Sequence, residues 1–118
     1  MTRFLIATDS VHATAAACDY LQDRIGPDDA VRAVAVAGGD TDERDAAEAL
    51  NVVTVRLPTA DAETETREGD PVAELRAAVD AFGADEVVLA ARSDPGASDL
   101  GETATAMLDA ATVPVVVV

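Results

Sequence analysis

The sequence predicts an α/β fold, a five-stranded parallel doubly wound sheet with helices packed over it. Three observations carry this. Short apolar runs alternate with stretches of helical periodicity along the whole chain. Asp, Ser, Gly and Pro stand where helices should start and stop. The first apolar run is nearly continuous instead of alternating, as a central parallel strand covered on two sides requires. The resulting order, β-α-β-α-β-α-β-α-β, implies right-handed crossovers. No internal repeat or linker interrupts it, so residues 1–118 are read as a single domain.

Taken in order, Arg3-Phe4-Leu5-Ile6-Ala7-Thr8 is the first strand, and Asp9-Ser10 offers a cap for the helix that follows. On that helix Thr14, Ala17, Cys18, Leu21 and Ile25 share one side, and Gly26-Pro27 ends it. Val31–Ala37 is the second strand, with Gly38-Gly39-Asp40 as its turn. From Thr41 to Arg67 two readings compete. Val52–Val55 has strand propensity, yet Ala46, Leu50, Val53 and Leu57 also continue one helical face that stops at Pro58. On the second reading, the third strand is the polar Ala62–Arg67, which suits only a sheet edge. Asp70-Pro71 starts the next helix, with Val72, Leu75, Val79 and Phe82 as its buried stripe and Gly83 at its end. Asp85–Ala91 is the fourth strand, Arg92–Asp99 a polar turn, and Gly101-Glu102-Thr103 opens a helix with Ala104, Met107, Leu108 and Ala111 inward. Val113–Val118 is the last strand.

Composition bounds the function. There are 23 acidic residues against 8 basic ones, all arginine, for a formal charge of −15. Such a surface repels nucleic-acid phosphate, so no nucleic acid is expected as a partner. The acids are spread along the chain and form no tail, which argues against a disordered segment. This pattern, with no lysine, points to a halophilic, archaeal-type protein in a high-salt cytoplasm, where screening removes the self-repulsion. Aromatics make up 3% of the chain, so the core must come from Ala, Val and Leu. The lone Cys18 excludes an internal disulfide, and no Cys/His spacing suggests a metal. Met1 leads almost directly into a strand, with no basic or long apolar leader. A cytoplasmic protein with no membrane association is expected.

Four stretches resemble the universal stress protein family. Phe4–Ser10 looks like its first strand and aspartate, Arg67-Glu68-Gly69-Asp70-Pro71 like its strand-to-helix step, and Asp85–Leu89 like its fourth strand. Gly101, thirteen residues before Pro114, matches the spacing of its last motif glycine to its last strand. The resemblance implies a Rossmann-like, adenine nucleotide alpha hydrolase-like sheet in the order 3-2-1-4-5. It favours a helix over Arg44–Leu57 and Ala62–Arg67 as the edge strand.

The resemblance also implies a nucleotide site of ATP or AMP, with Mg²⁺, involving Asp9, Val36, Ala90, Arg92, Ser93, Gly101, Glu102 and Thr103. Nucleotide-binding members carry a Gly-x2-Gly-x9-Gly-(Ser/Thr) motif whose glycines let backbone approach phosphate, at a helix start with free N–H groups. Here Ala90 and Ser93 replace the first two glycines, and Glu102 replaces the Ser or Thr. The intervening loop, Asp94–Leu100, has seven residues, not nine. Asp94, Asp99 and Glu102 add negative charge where a triphosphate would sit, each pair costing about 1 to 4 kcal/mol. Only Arg92 offsets them. The motif is thus degenerate.

Asp9 reads equally as a helix cap or a ligand contact at the switch in strand order. His12 has no Ser/Asp partner at a telling spacing and reads as a surface histidine; Cys18 reads as core. No catalytic residue and no metal site are assigned. The edge Pro114-Val115-Val116-Val117-Val118 is apolar, and the resemblance implies a homodimer formed through it. The leading expectation is a non-catalytic dimeric stress-response module. A second is a nucleotide-binding or slowly ATP-hydrolysing member. A third, a phospho-receiver domain, needs a late lysine that the chain lacks.

Overall fold

The computed structural model describes residues 2–8, 11–37, 43–57, 61–89 and 113–118. The elements are β1 (Arg3–Thr8), α1 (Val11–Gln22), β2 (Ala30–Ala37), α2 (Glu43–Arg56), β3 (Asp61–Glu68), α3 (Pro71–Phe82), β4 (Glu86–Leu89) and β5 (Val115–Val117). All strand pairs are parallel, in the order β3-β2-β1-β4-β5. The doubly wound fold and the strand order expected from the sequence are therefore present. The predicted helix over Ala104–Ala111 lies outside the described residues.

The period-2 geometry of β1 sorts the core into two layers. Phe4 and Ile6 join Ala17, Cys18 and Leu21 of α1 and Ala46, Leu50 and Val53 of α2 on one face. Leu5 and Ala7 join Val34, Val36, Leu75, Ala78 and Val79 on the other, under α3. The layers are mostly Ala, Val and Leu, as the scarcity of aromatics requires.

The ambiguous stretch resolves as helix. Ala46, Ala49, Leu50 and Val53 of α2 are buried, and Leu57 closes the same face just beyond its end. A strand over Val52–Val55 would have broken this face at Val53. Val55, at 76% exposure, lies on the wet side. α1 ends three residues before Ile25, the last residue of the apolar face predicted for it. There the N–H groups of Arg24 and Ile25 both reach back to the Leu21 carbonyl, and Arg24 donates to the Tyr20 carbonyl while stacking 3.9 Å over its ring. Ile25 still packs on the core from the loop.

α3 starts and stops as its sequence dictates. The Asp70 carboxylate accepts from the Ala73 N–H, Pro71 occupies the first turn, and Gly83 caps the end at φ 69°. That left-handed conformation strains any residue with a Cβ, and a Cβ there would also meet the Arg3 guanidinium at 3.2 Å.

Candidate functional site

In an open parallel sheet, the ligand crevice lies beyond the carboxyl ends of the strands, where the order reverses. Here the reversal is at β1, which pairs with β2 on one side and β4 on the other. The strand ends that lead into Asp9 and into Ala90 are hydrogen-bonded neighbours, with Ala7 opposite Leu89. Thr8 stands opposite Ala35, and the end of β2 carries Val36, which is 7% exposed and packed in the α3-side core. Of the sequence-predicted nucleotide residues, Val36 is thus placed at the carboxyl end of the sheet. Asp9, Ala90, Arg92, Ser93, Gly101, Glu102 and Thr103 lie outside the described residues.

Two features of this end went unread in the sequence. The Thr8 and Thr14 hydroxyls sit 2.7 Å apart, both buried, bridging the last residue of β1 and the first turns of α1. Thr14 had been placed on the apolar face correctly, but a hydroxyl partner across the sheet–helix interface has no local sequence signal. The second feature is on β3. Arg67, opposite Val36, lies 3.0 Å from Glu65 and 3.7 Å from Glu74 of α3. Its Nε is close enough to Glu65 for charge attraction but misaligned for a hydrogen bond. Glu65 Oε2 is also buried without a hydrogen-bond partner.

The opposite end of the sheet is fastened by backbone-to-carboxylate bonds. Asp85 accepts from the Arg3 N–H at 2.9 Å, while its own N–H donates to the Arg3 carbonyl. This gives the aspartate at the head of the fourth strand a structural task, tying β4 to β1. Asp29 accepts from the N–H groups of Thr2 at 2.7 Å and Gly26 at 2.8 Å. Those two donors, Gly26 first, hold its carboxyl below the usual range. Burial pushes the Cys18 thiol up to about 11, so it stays protonated and unreactive at neutral pH, as its core reading required.

At the far edge, β5 pairs with β4 through Val115–Val117, and the Val118 N–H donates to the Leu89 carbonyl. Pro114 is exposed, while Val115, Val116 and Val118 are half-buried. Among the described residues, no group of His, Cys, Asp and Glu is arranged to hold a metal ion. Among them, too, no helix is long and apolar enough to cross a membrane.

Together these features define an open parallel α/β domain whose strand order reverses at β1. A family model, that of the universal stress protein family, matches residues 1–118, and the chain belongs to that family. Solved structures agree in fold. The universal stress protein from Archaeoglobus fulgidus is 20% identical, with a TM-score of 0.73 over 99% of this chain and 98% of that one. A family protein from Arabidopsis thaliana, solved with AMP bound, is 17% identical with a TM-score of 0.72 over 100% and 91%. A universal stress protein in complex with cAMP is 18% identical with a TM-score of 0.71 over 99% and 95%. No curated protein matches the sequence.

Proposed function

We propose that this chain is a single-domain, non-catalytic stress-response module, acting as a homodimer in a high-salt cytoplasm, with a reduced nucleotide site. The observation that carries the reading is the joint after β4. On a fold otherwise true to the family, Gly101 alone remains of three motif glycines, and the sequence carries Asp94, Asp99 and Glu102 within the motif stretch. The apolar β5 edge supports the dimer, because unpaired strand groups flanked by valine favour another strand over water. A charge of −15 without lysine supports the halophilic, archaeal-type setting.

A second reading, that the chain binds ATP or AMP, draws on the neighbours solved with AMP and with cAMP. Those ligands carry a single phosphate group. A loop stripped of two glycines and rich in acid loses most for a triphosphate and least for a monophosphate. On this reading Asp9, Val36, Ala90, Arg92, Ser93, Gly101, Glu102 and Thr103 line the site. Slow ATP hydrolysis with Mg²⁺ is its furthest extension.

Thermal unfolding in molar KCl, with millimolar AMP or ATP·Mg²⁺, separates the two. A ligand at about 100 times its Kd adds about 2.7 kcal/mol of stability. No rise with either nucleotide supports the ligand-free module. A rise with AMP exceeding that with ATP supports the monophosphate site.

A further inference from the structure

We propose that assembly of the homodimer is a salt-responsive switch. The valine edge β5 carries the contact, and the charge of −15 on each copy opposes it until ions screen the repulsion. The proposal rests on the reading that two copies dock through β5, and adds what regulates that contact.

A two-fold contact sets the same patch of both copies face to face, so the patch must be complementary to itself. On β3 that brings Glu63, Glu65 and Glu68 of one copy toward the same carboxylates of the other. On β5 it brings valine to valine, and among the described residues β5 has β4 as its one strand neighbour. The edge that suits a second copy is therefore the uncharged one. Charge acts on this contact from elsewhere in the molecule. Arg32, Arg44, Arg56 and Arg67 are each paired with a carboxylate of their own chain, and Arg3 and Arg24 donate to carbonyls of it. Six of the eight cations are thus engaged internally, which leaves few to pair with the acids of a second copy. The favourable part of the association is apolar, and its long-range part is repulsion between like charges. The Debye length decides which wins. It is about 10 Å at 0.1 M and about 3 Å at 1 M ionic strength. In a molecule with a radius of gyration of 12.9 Å, most charge on one copy is screened from the other at the higher concentration. At the lower one, much of it is felt. An interface built on ion pairs would respond with the opposite sign, weakening as salt rises.

The test follows the dimer dissociation constant by sedimentation equilibrium in KCl between about 0.1 M and about 2 M, with circular dichroism recording the fold. The wild-type dimer is expected to be at least about 100-fold tighter at the highest concentration than at the lowest. Salt also strengthens apolar burial itself, so a variant separates the two causes. Asp23→Asn, Asp28→Asn, Glu68→Gln and Asp80→Asn together neutralise four exposed acids and leave β5 untouched. They take the charge from −15 to −11. Repulsion scales with the product of the two charges and falls to about half. The variant is expected to dimerise about tenfold more tightly than wild type at low salt and equally at about 2 M. Where low salt loosens the wild-type fold, the two proteins are compared over the concentrations at which both remain native. There the variant's curve is expected to lie at lower salt. Coincident curves, or a dimer that weakens as KCl rises, would overturn the proposal while leaving the dimer in place. A monomer at every salt concentration sinks the dimer reading, and this proposal with it.

Discussion

The sheet has two edges, and they are built on opposite principles. β3 is eight residues long, and Glu63, Glu65, Arg67 and Glu68 stand along it with threonines between. Arg32 and Arg67 reach in to pair with Glu63 and Glu65. β5 is three residues long, all valine, and its sequence neighbours Pro114 and Val118 have uncharged side chains. A long flat edge is a template for unwanted pairing, and charge along it is the usual remedy. A bare apolar edge without that remedy is tolerable where something covers it. The contrast assigns the two edges different tasks: β3 stays alone in water, and β5 is the edge on which we propose a second copy docks.

The largest test of that contrast puts the same charge on each edge. Val116 lies opposite Val88, a fully buried residue, so Val116→Asp brings a carboxylate against the core as well as onto the proposed interface. A loss of about 2–4 kcal/mol and a monomer in sedimentation at molar KCl are expected. Thr66→Asp, on the exposed side of β3, is expected to change stability by no more than about 0.5 kcal/mol. Equal effects at the two edges would erase the distinction.

How the edges read in sequence is itself uneven. β5 was plain, because Pro followed by valines has a single meaning at a chain's last strand. β3 was not, because Glu and Thr score poorly as strand, and Val52–Val55 competed for the role with better propensity. The structure shows why propensity failed: Leu50, Val53 and Leu57 are worth more buried on one helical face than as alternate residues of a strand. The ends of α3 were legible because capping chemistry is local, residue against next residue. The Thr8–Thr14 and Asp29 bonds were not, because their partners are chosen by the fold. Of the predicted nucleotide residues Val36 is located, by a strand that its own hydrophobicity defines. The others lie outside the described residues.

The next test removes the protection from β3. Glu63→Val with Glu65→Val replaces two carboxylates of β3 by β-branched apolar side chains while leaving β5 untouched. We expect association beyond the dimer, seen as a heavier or polydisperse species in sedimentation, growing with protein concentration. An unaltered sedimentation profile would mean that charge on β3 is not what keeps that edge single.

A smaller effect is expected from Arg67. Its guanidinium is the one cation that the described structure places between Glu65 and Glu74. Arg67→Met keeps the stem and removes the charge, leaving the two carboxylates facing each other beside a Glu65 oxygen that already lacks a hydrogen bond. The groups are part-exposed, with 21% of the Arg67 side chain and 33% of each glutamate accessible, so solvent screens much of the interaction. A loss of about 1 kcal/mol at low salt, shrinking in molar KCl, is expected from denaturant unfolding. A loss that ignores salt would point to packing of the arginine stem instead.

The smallest effect separates the edges from the base of the sheet. Asp29, which leads into β2, accepts from the Gly26 and Thr2 N–H groups, and both donors favour its ionised form. Its folded pKa therefore lies below the ordinary 3.8. The sign follows: its contribution is complete above that value and is lost as pH falls through the lowered one. Asp29→Asn keeps an acceptor but has nothing to titrate. Urea unfolding from pH 5 downward should therefore show a shallower acid decline in the variant than in the wild type, with the difference opening only below pH 3.8. If the two curves stay parallel, the bonds from Gly26 and Thr2 to the Asp29 carboxylate contribute nothing to acid stability.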